Sequence, residues 1–219
     1  LHDPLPIYFI TVRYKSGSLF FGKNSIEEPG IVRTNNTWST LASPQVSIGT
    51  NQGNGAFYNG AIDDIRFYDR SLSAEEMTSL FNNTCAFSPS QITTSAWYDA
   101  QDQTTITKED GLVSQWDDKS GFGRNAVQGT GASQPLTGLN IINNLNALYF
   151  NLDYMVASGI SITNDNLTSI FVGERKGIVA NSSPYVISDT GQANDNDNNE
   201  SALLAYNSAD GSTLEAYRN

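Results

Sequence analysis

The residues of this chain that could carry out chemistry are mainly carboxylates, and two of them, Asp63 and Asp64, are adjacent. Glycoside hydrolysis needs two carboxyl groups about 5 to 10 Å apart in one cleft. The stretch from Tyr58 to Tyr68 has the pattern of a strand, in which neighbouring side chains point to opposite faces. We therefore predict that Asp63 and Asp64 face opposite ways and do not act as one carboxylate pair.

A second acidic group is the run NDNDNNES, which places Asp195 and Asp197 at alternate positions. Calcium takes about six to eight oxygen ligands, and calcium loops supply carboxylates at alternate positions. This run has Glu200 where an EF-hand loop needs a glycine, and no helical pattern flanks it. Two interpretations stay open: a calcium site at Asp195 and Asp197, and an acidic loop without a metal. Asp117 and Asp118, in WDDKSG, are expected to make loop hydrogen bonds.

Other residue types exclude one class of enzyme and raise the question of sugar binding. The only histidine is His2, so a serine or cysteine nucleophile has no credible histidine base. Aromatic rings can stack on sugars, and Trp38 and Tyr58 lie on or near predicted loops, so both are candidate ligand contacts. Trp97 and Trp116 lie in strand patterns and are expected in the core.

The composition favours an all-β globular protein with an acidic surface. The chain has 219 residues, 38% of them hydrophobic, and 18 glycines. Its apolar residues come in short runs between turns, which is typical of short strands. The net charge of −11 argues against nucleic-acid binding, because that requires cations to neutralise phosphates. No apolar run approaches the length of a transmembrane helix, so membrane insertion is not expected.

Local patterns predict the elements that must position these residues. Tyr8 to Tyr14 alternates as a strand and turns through a glycine-bearing loop into residues 19 to 21, forming a hairpin. A helix near 73–82 is specified by Ser73 as N-cap and Glu76 three residues later, with Leu72 packing on Met77. Further strands are predicted at residues 46–49, 58–68, 112–116, 147–150, 169–174, 185–188, 202–206 and 214–217, and near Trp97.

Two stretches resemble parts of one family. The sequence FYNGAIDDIRFYDRSLSAEEMTSLF resembles the closing strand and final helix of laminin G-like, concanavalin A-like jelly-roll domains of bacterial surface proteins, with a match over about residues 8–82. From Ala96, AWYDAQDQTTITKEDGLVSQWDDKSGFGRNAVQ resembles the opening of another such domain. The implied fold is an antiparallel jelly-roll β-sandwich. The implied organisation is a fragment with the end of one sandwich at 1–85, a linker at 86–95 and the beginning of a second at 96–219.

The resemblance also carries functional expectations. Concanavalin A-like sandwiches often hold a structural calcium ion on an aspartate of the closing strand, which here is Asp63 or Asp64. The alternative is that Asp63 pairs with a neighbouring cation or caps a loop. The Glu-x-Asp-x-x-Glu spacing of related retaining glycosidases is absent. We therefore expect a non-catalytic, extracellular or cell-surface module that binds a glycan or a cell-surface protein. The alternative functions are a spacer in a surface or phage-tail fibre and an accessory domain of a polysaccharide-degrading enzyme.

Overall fold

The structure is a computed structural model, and it describes eleven stretches of the chain. These are residues 8–15, 18–24, 26–28, 44–50, 57–82, 93–142, 144–160, 166–176, 184–189, 202–206 and 214–218. Within them the protein is antiparallel β-structure with a single α-helix, as predicted. The fold is a curled sheet in the form of a half-barrel, consistent with a concanavalin A-like jelly roll.

The described residues form sixteen strands and the helix α1, which spans Ala74–Phe81. In chain order the strands are β1 (Tyr8–Lys15), β2 (Ser18–Lys23), β3 (Ile26–Glu28), β4 (Pro44–Ile48), β5 (Asn59–Tyr68), β6 (Ala96–Asp99), β7 (Ile106–Glu109), β8 (Leu112–Trp116), β9 (Ala126–Val127), β10 (Leu136–Ile142), β11 (Leu145–Asn151), β12 (Met155–Ser158), β13 (Asn166–Arg175), β14 (Tyr185–Asp189), β15 (Ala202–Tyr206) and β16 (Leu214–Arg218).

The hairpin and the helix form as their local sequences predict. Strand β1 pairs with β2, and Ile10, Val12 and Tyr14 of β1 are buried in the main core. At the start of α1, the Ser73 hydroxyl accepts from the Glu76 N–H at 3.2 Å, and the Glu76 carboxylate accepts from the Ser73 N–H at 2.8 Å. These reciprocal bonds satisfy two backbone donors that the first turn of a helix leaves unpaired.

The helix covers part of the outer face of the sheet. Leu72 and Met77, on either side of the N-cap, are both buried in a small cluster with Leu80 of the helix, Tyr68 of β5 and Ile170 of β13. The ring of Phe9 in β1 lies edge-on to Phe81, with 5.3 Å between ring centroids. The predicted contact of an apolar residue before the cap with one inside the helix thus anchors α1 to the sheet.

Strand β5 lies at the centre of the architecture because both of its edges are paired. Along one edge it runs antiparallel to β13, from Gly60 to Tyr68. Along the other edge it pairs first with β11, over residues 59–62, and then with β6, over residues 64–67. The order of the main sheet is β16-β15-β14-β4-β12-β9-β8-β10-β11-β5-β13-β1-β2-β3, with β6 and β7 paired off this path.

The sheet curls so that two walls share one hydrophobic core. Phe67 of β5 meets Tyr185 of β14 edge to face, with 5.2 Å between ring centroids. Tyr98 of β6 packs on Trp116 of β8 at 5.6 Å. Trp116 is fully buried, as predicted. The same core also contains Val46 and Ile48 of β4 and Met155 of β12.

The strand pairing links the two segments that were predicted to be partial sandwiches. Strands from residues 1–85 pair directly with strands from residues 96–219: β1 and β5 with β13, and β4 with β12 and β14. Each segment by itself would leave apolar faces and unpaired edges, and here each segment covers those of the other. Most of the predicted linker at 86–95 lies outside the described residues. We propose that the two segments form one rearranged sandwich.

A core substitution in the first segment tests this organisation. Replacing Phe67 with alanine removes a buried ring that contacts Tyr185 of the second segment, so we expect a loss of about 3–5 kcal/mol of stability across the whole chain. Calorimetry should show one unfolding transition that moves to lower temperature as a unit. Phe122→Ala is the matched control, because Phe122 is exposed and its loss should change stability by no more than about 0.5 kcal/mol. Two transitions, of which Phe67→Ala moves one, would support separate sandwiches.

Candidate functional site

A β-bulge in β5 decides where the two adjacent aspartates point. Asp64 lies opposite Val172 of β13, but Ile62 lies opposite Gly173, so Asp63 is an extra residue between them. Ile62 and Ile65 both belong to the main core. Asp63 and Asp64, between these two core residues, therefore both lie on the outer face of the sheet. The prediction that they face opposite ways is wrong, because the bulge interrupts the period of two.

Asp64 is held by the cation two residues further along the same strand. Both of its carboxylate oxygens accept hydrogen bonds from the guanidinium of Arg66, and the bond from Nε measures 3.1 Å. Residues two apart on a strand share a face, so this pairing follows from the strand geometry. The same guanidinium lies 5.1 Å from the centre of the Trp97 ring, on the neighbouring strand β6.

A second cation lies against the same tryptophan. The Lys119 ammonium is 4.6 Å from the centre of the Trp97 ring, 2.8 Å from Asp99 Oδ2 and 3.0 Å from Asp102 Oδ2. Trp97 is half-buried between these charged groups and does not belong to the apolar core where it was expected. We call the following group on the outer face the Trp97 surface: Asp63, Asp64, Arg66, Trp97, Asp99 and Lys119.

Asp63 differs from the other carboxylates of the Trp97 surface. In the described contacts, no cation binds it directly. It is 5% exposed; its Oδ2 accepts from the Gln101 amide at 3.1 Å, and its Oδ1 has no hydrogen-bond partner in the described part of the chain. Burial raises the pKa of Asp63 to about 7, and the nearby charges of Asp64 and Asp99 act in the same direction. A carboxyl group in this state holds its proton close to neutral pH.

The loop after β8 is organised around one carboxylate. Within residues 117–125, which we call the Asp118 loop, the Asp118 side chain accepts from the Ser120 N–H at 2.9 Å, the Ser120 hydroxyl at 2.6 Å and the Arg124 N–H at 3.1 Å. It also accepts from the Trp97 N–H at 2.9 Å, which ties the loop to β6. The expectation of loop hydrogen bonding at Asp117 and Asp118 is thereby confirmed, since Asp117 accepts from Gln115.

The two aspartates of the closing strand accept hydrogen bonds from other side chains of the chain. Both oxygens of Asp64 accept from Arg66, and one oxygen of Asp63 accepts from Gln101. In the described part of the chain no three His, Cys, Asp or Glu side chains are grouped so that they could hold a metal ion. At the closing strand a cation, Arg66, pairs with Asp64, whereas Asp63 accepts from the Gln101 amide. Asp195 and Asp197 lie outside the described residues, so calcium binding there stays a prediction.

The two predicted aromatic contacts, Trp38 and Tyr58, have different outcomes. Trp38 lies outside the described residues. Tyr58 is fully buried and packs edge-on against Phe171, with 6.0 Å between ring centroids, so the prediction of a ligand contact at Tyr58 is corrected to a core position. Among the aromatic side chains whose exposure the structure describes, Phe122 is the most exposed, at 57%. Sequence reasoning missed Phe122, although the glycine on each side of it was a usable sign of a loop tip.

Comparison with known proteins identifies one family. Residues 8–78 match the family model described as the concanavalin A-like lectin/glucanases superfamily, which confirms the resemblance recognised in this part of the sequence. No curated protein and no solved structure matches the chain. The resemblance from Ala96 onward stays a prediction. Among the described residues, no helix is long and apolar enough to cross a membrane.

The raised pKa of Asp63 predicts a pH-dependent stability. The folded protein keeps this proton up to about pH 7, whereas the unfolded chain releases it near the ordinary value of 3.8. Stability should therefore fall as the pH rises from about 4 to about 7 and then level off, by at most about 4 kcal/mol. Asp63→Asn cannot ionise and should lose this slope in urea unfolding measured across the pH range. The exposed Asp69→Asn is the control, and a slope unchanged in Asp63→Asn would contradict the assignment.

The calcium prediction can be tested on the same chain. Because Arg66 already binds both oxygens of Asp64, we expect Asp63→Ala and Asp64→Ala not to alter any effect of calcium on the melting temperature. A rise in melting temperature with calcium that Asp195→Ala and Asp197→Ala abolish would place an ion in that acidic run. A rise in melting temperature that Asp63→Ala or Asp64→Ala abolishes would instead place the calcium ion at the closing strand.

Proposed function

We propose that this chain is a non-catalytic recognition module of the carbohydrate-binding or adhesion type, acting outside the cell or on its surface. The coarser part of this statement rests on the match of residues 8–78, because laminin G-like and concanavalin A-like domains fit such a role. The partner would be a glycan or a cell-surface protein. Recognition would use loops at one rim of the rigid sheet, where side chains are free to vary without cost to the core.

The state of the carboxylates is the observation that favours binding over catalysis. Glycoside hydrolysis uses one carboxyl group as acid and another as base or nucleophile, on either side of the scissile bond. On the Trp97 surface, Asp64 is bound by Arg66 and Asp99 by Lys119, and Asp63 is almost wholly buried beneath Gln101. Each carboxylate therefore has an internal structural partner or is shielded from a substrate. This arrangement suits a rigid scaffold better than a reaction centre.

A glycan array and a hydrolysis assay together test the proposal. The full chain should bind a limited set of glycans, should release no reducing sugar from them, and should lose the binding when it is denatured. If the chain binds no glycan on the array, the result would favour a role as a spacer in a fibre. Release of reducing sugar that Asp63→Asn or Asp99→Asn abolishes would show that the carboxylates of the Trp97 surface are catalytic, and would overturn the non-catalytic assignment.

A further inference from the structure

We propose that Phe122, at the tip of the Asp118 loop, is the platform on which this chain stacks a neutral pyranose ring, with Arg124 holding that platform in position. The inference rests on the carbohydrate-binding function proposed above and names the residue that would carry it. It replaces Tyr58, which is buried, as the aromatic contact.

The first support is the exposure of a large apolar ring. Phe122 is 57% exposed, whereas most described aromatic side chains are buried in the core or half-buried beside other groups. An exposed phenylalanine on a loop gains little from burial, because most of the ring remains in water. Such a ring is available to a ligand that covers it.

The second support is that the loop is held in one shape. Four hydrogen bonds converge on the Asp118 carboxylate, from Trp97, Ser120 and Arg124, and Asn125 accepts from the Asp118 N–H at 3.0 Å. A binding residue that is already ordered pays little conformational entropy when a ligand arrives. The Asp118 loop therefore presents Phe122 as a preorganised surface.

Two glycines turn the backbone on either side of the ring. Gly121 has φ of 90° and Gly123 has φ of 70°, a left-handed region that residues with a Cβ rarely adopt. A Cβ added at either position would meet no atom within 4 Å. The glycines are therefore needed for the backbone conformation and not for close packing, and that conformation is what sets Phe122 at the tip.

One face of the ring is already covered by a fixed cation. The Arg124 guanidinium carbon lies 4.5 Å from the centre of the Phe122 ring, and Nη1 of the same guanidinium donates to the Ser95 carbonyl at the start of β6. A guanidinium has five N–H donors, and this bond uses one of them. The high exposure of the ring then belongs mainly to its other face, which is free to receive the apolar side of a sugar.

Charge selects the class of sugar. The Asp118 loop contains Asp117 and Asp118 but also Lys119 and Arg124, so its formal charges cancel, while the whole chain carries a net charge of −11. A sugar with a carboxylate or sulfate would meet this negative field, whereas a neutral pyranose would not. An apolar face for stacking is what the apolar side of a neutral sugar ring requires.

The test uses the full chain and simple probes: the methyl pyranosides of glucose, galactose and mannose, and methyl glucuronide, in proton NMR titrations. We expect sugar-ring protons to shift with at least one neutral probe and less with the glucuronide. Phe122→Ala should weaken that binding about tenfold, and Phe122→Trp should retain it. Leu145→Ala, which removes another exposed apolar side chain, is the matched control and should bind as the wild type does.

The outcomes separate this inference from the proposed function. Glycan binding that survives Phe122→Ala in a chain with an unchanged melting temperature would overturn the platform and leave the proposed function standing. Stronger binding of the glucuronide than of every neutral probe would overturn the assignment to neutral sugars. If the wild type binds none of the probes and no glycan on the array, both the Phe122 platform and the proposed carbohydrate-binding function would be overturned.

Discussion

The pairing of β5 on both edges is the constraint on which the rest of the structure depends. Strand β5 is bonded along one edge to β13, and its other edge passes from β11 to β6 near Asp63. Both faces of this strand are also largely buried. Its inner face supplies Ile65 and Phe67 to the main core, and its outer face is covered by α1 near Tyr68 and by polar groups near Asp64.

The bulge in this strand explains why charged groups gather at one place on the outer face. An extra residue at Asp63 brings two consecutive carboxylates to the same side, close to Asp99 on β6. Buried carboxylates are costly unless cations or donors accompany them. Arg66 and Lys119 provide that compensation next to Trp97, whose ring also interacts favourably with both cations. The bulge therefore gathers the carboxylates, and the two cations and the Trp97 ring stabilise them there.

Lys119 and Trp97 also connect this surface to the Asp118 loop. The Lys119 N–H donates to the Trp97 carbonyl at 2.8 Å, and Asp118 accepts from the Trp97 N–H. The backbone of β6 is therefore bonded to the loop through both its donor and its acceptor at this position. A loop tied so closely to a strand has little freedom to move with a ligand, which favours recognition by a preformed surface.

The sequence alone determined the features that depend on neighbours in the chain. The capping box of α1, the hairpin of β1 and β2, and the larger apolar strands follow from residues within a few positions of each other. Five strands escaped prediction, namely β3, β7, β9, β10 and β12, because each is short, polar or irregular and exists through its partners. Only the tertiary structure decided the bulge at Asp63 and the burial of Tyr58. Each of these depends on strands brought together from distant parts of the chain, and a local pattern of residues carries no information on which partner a strand will meet.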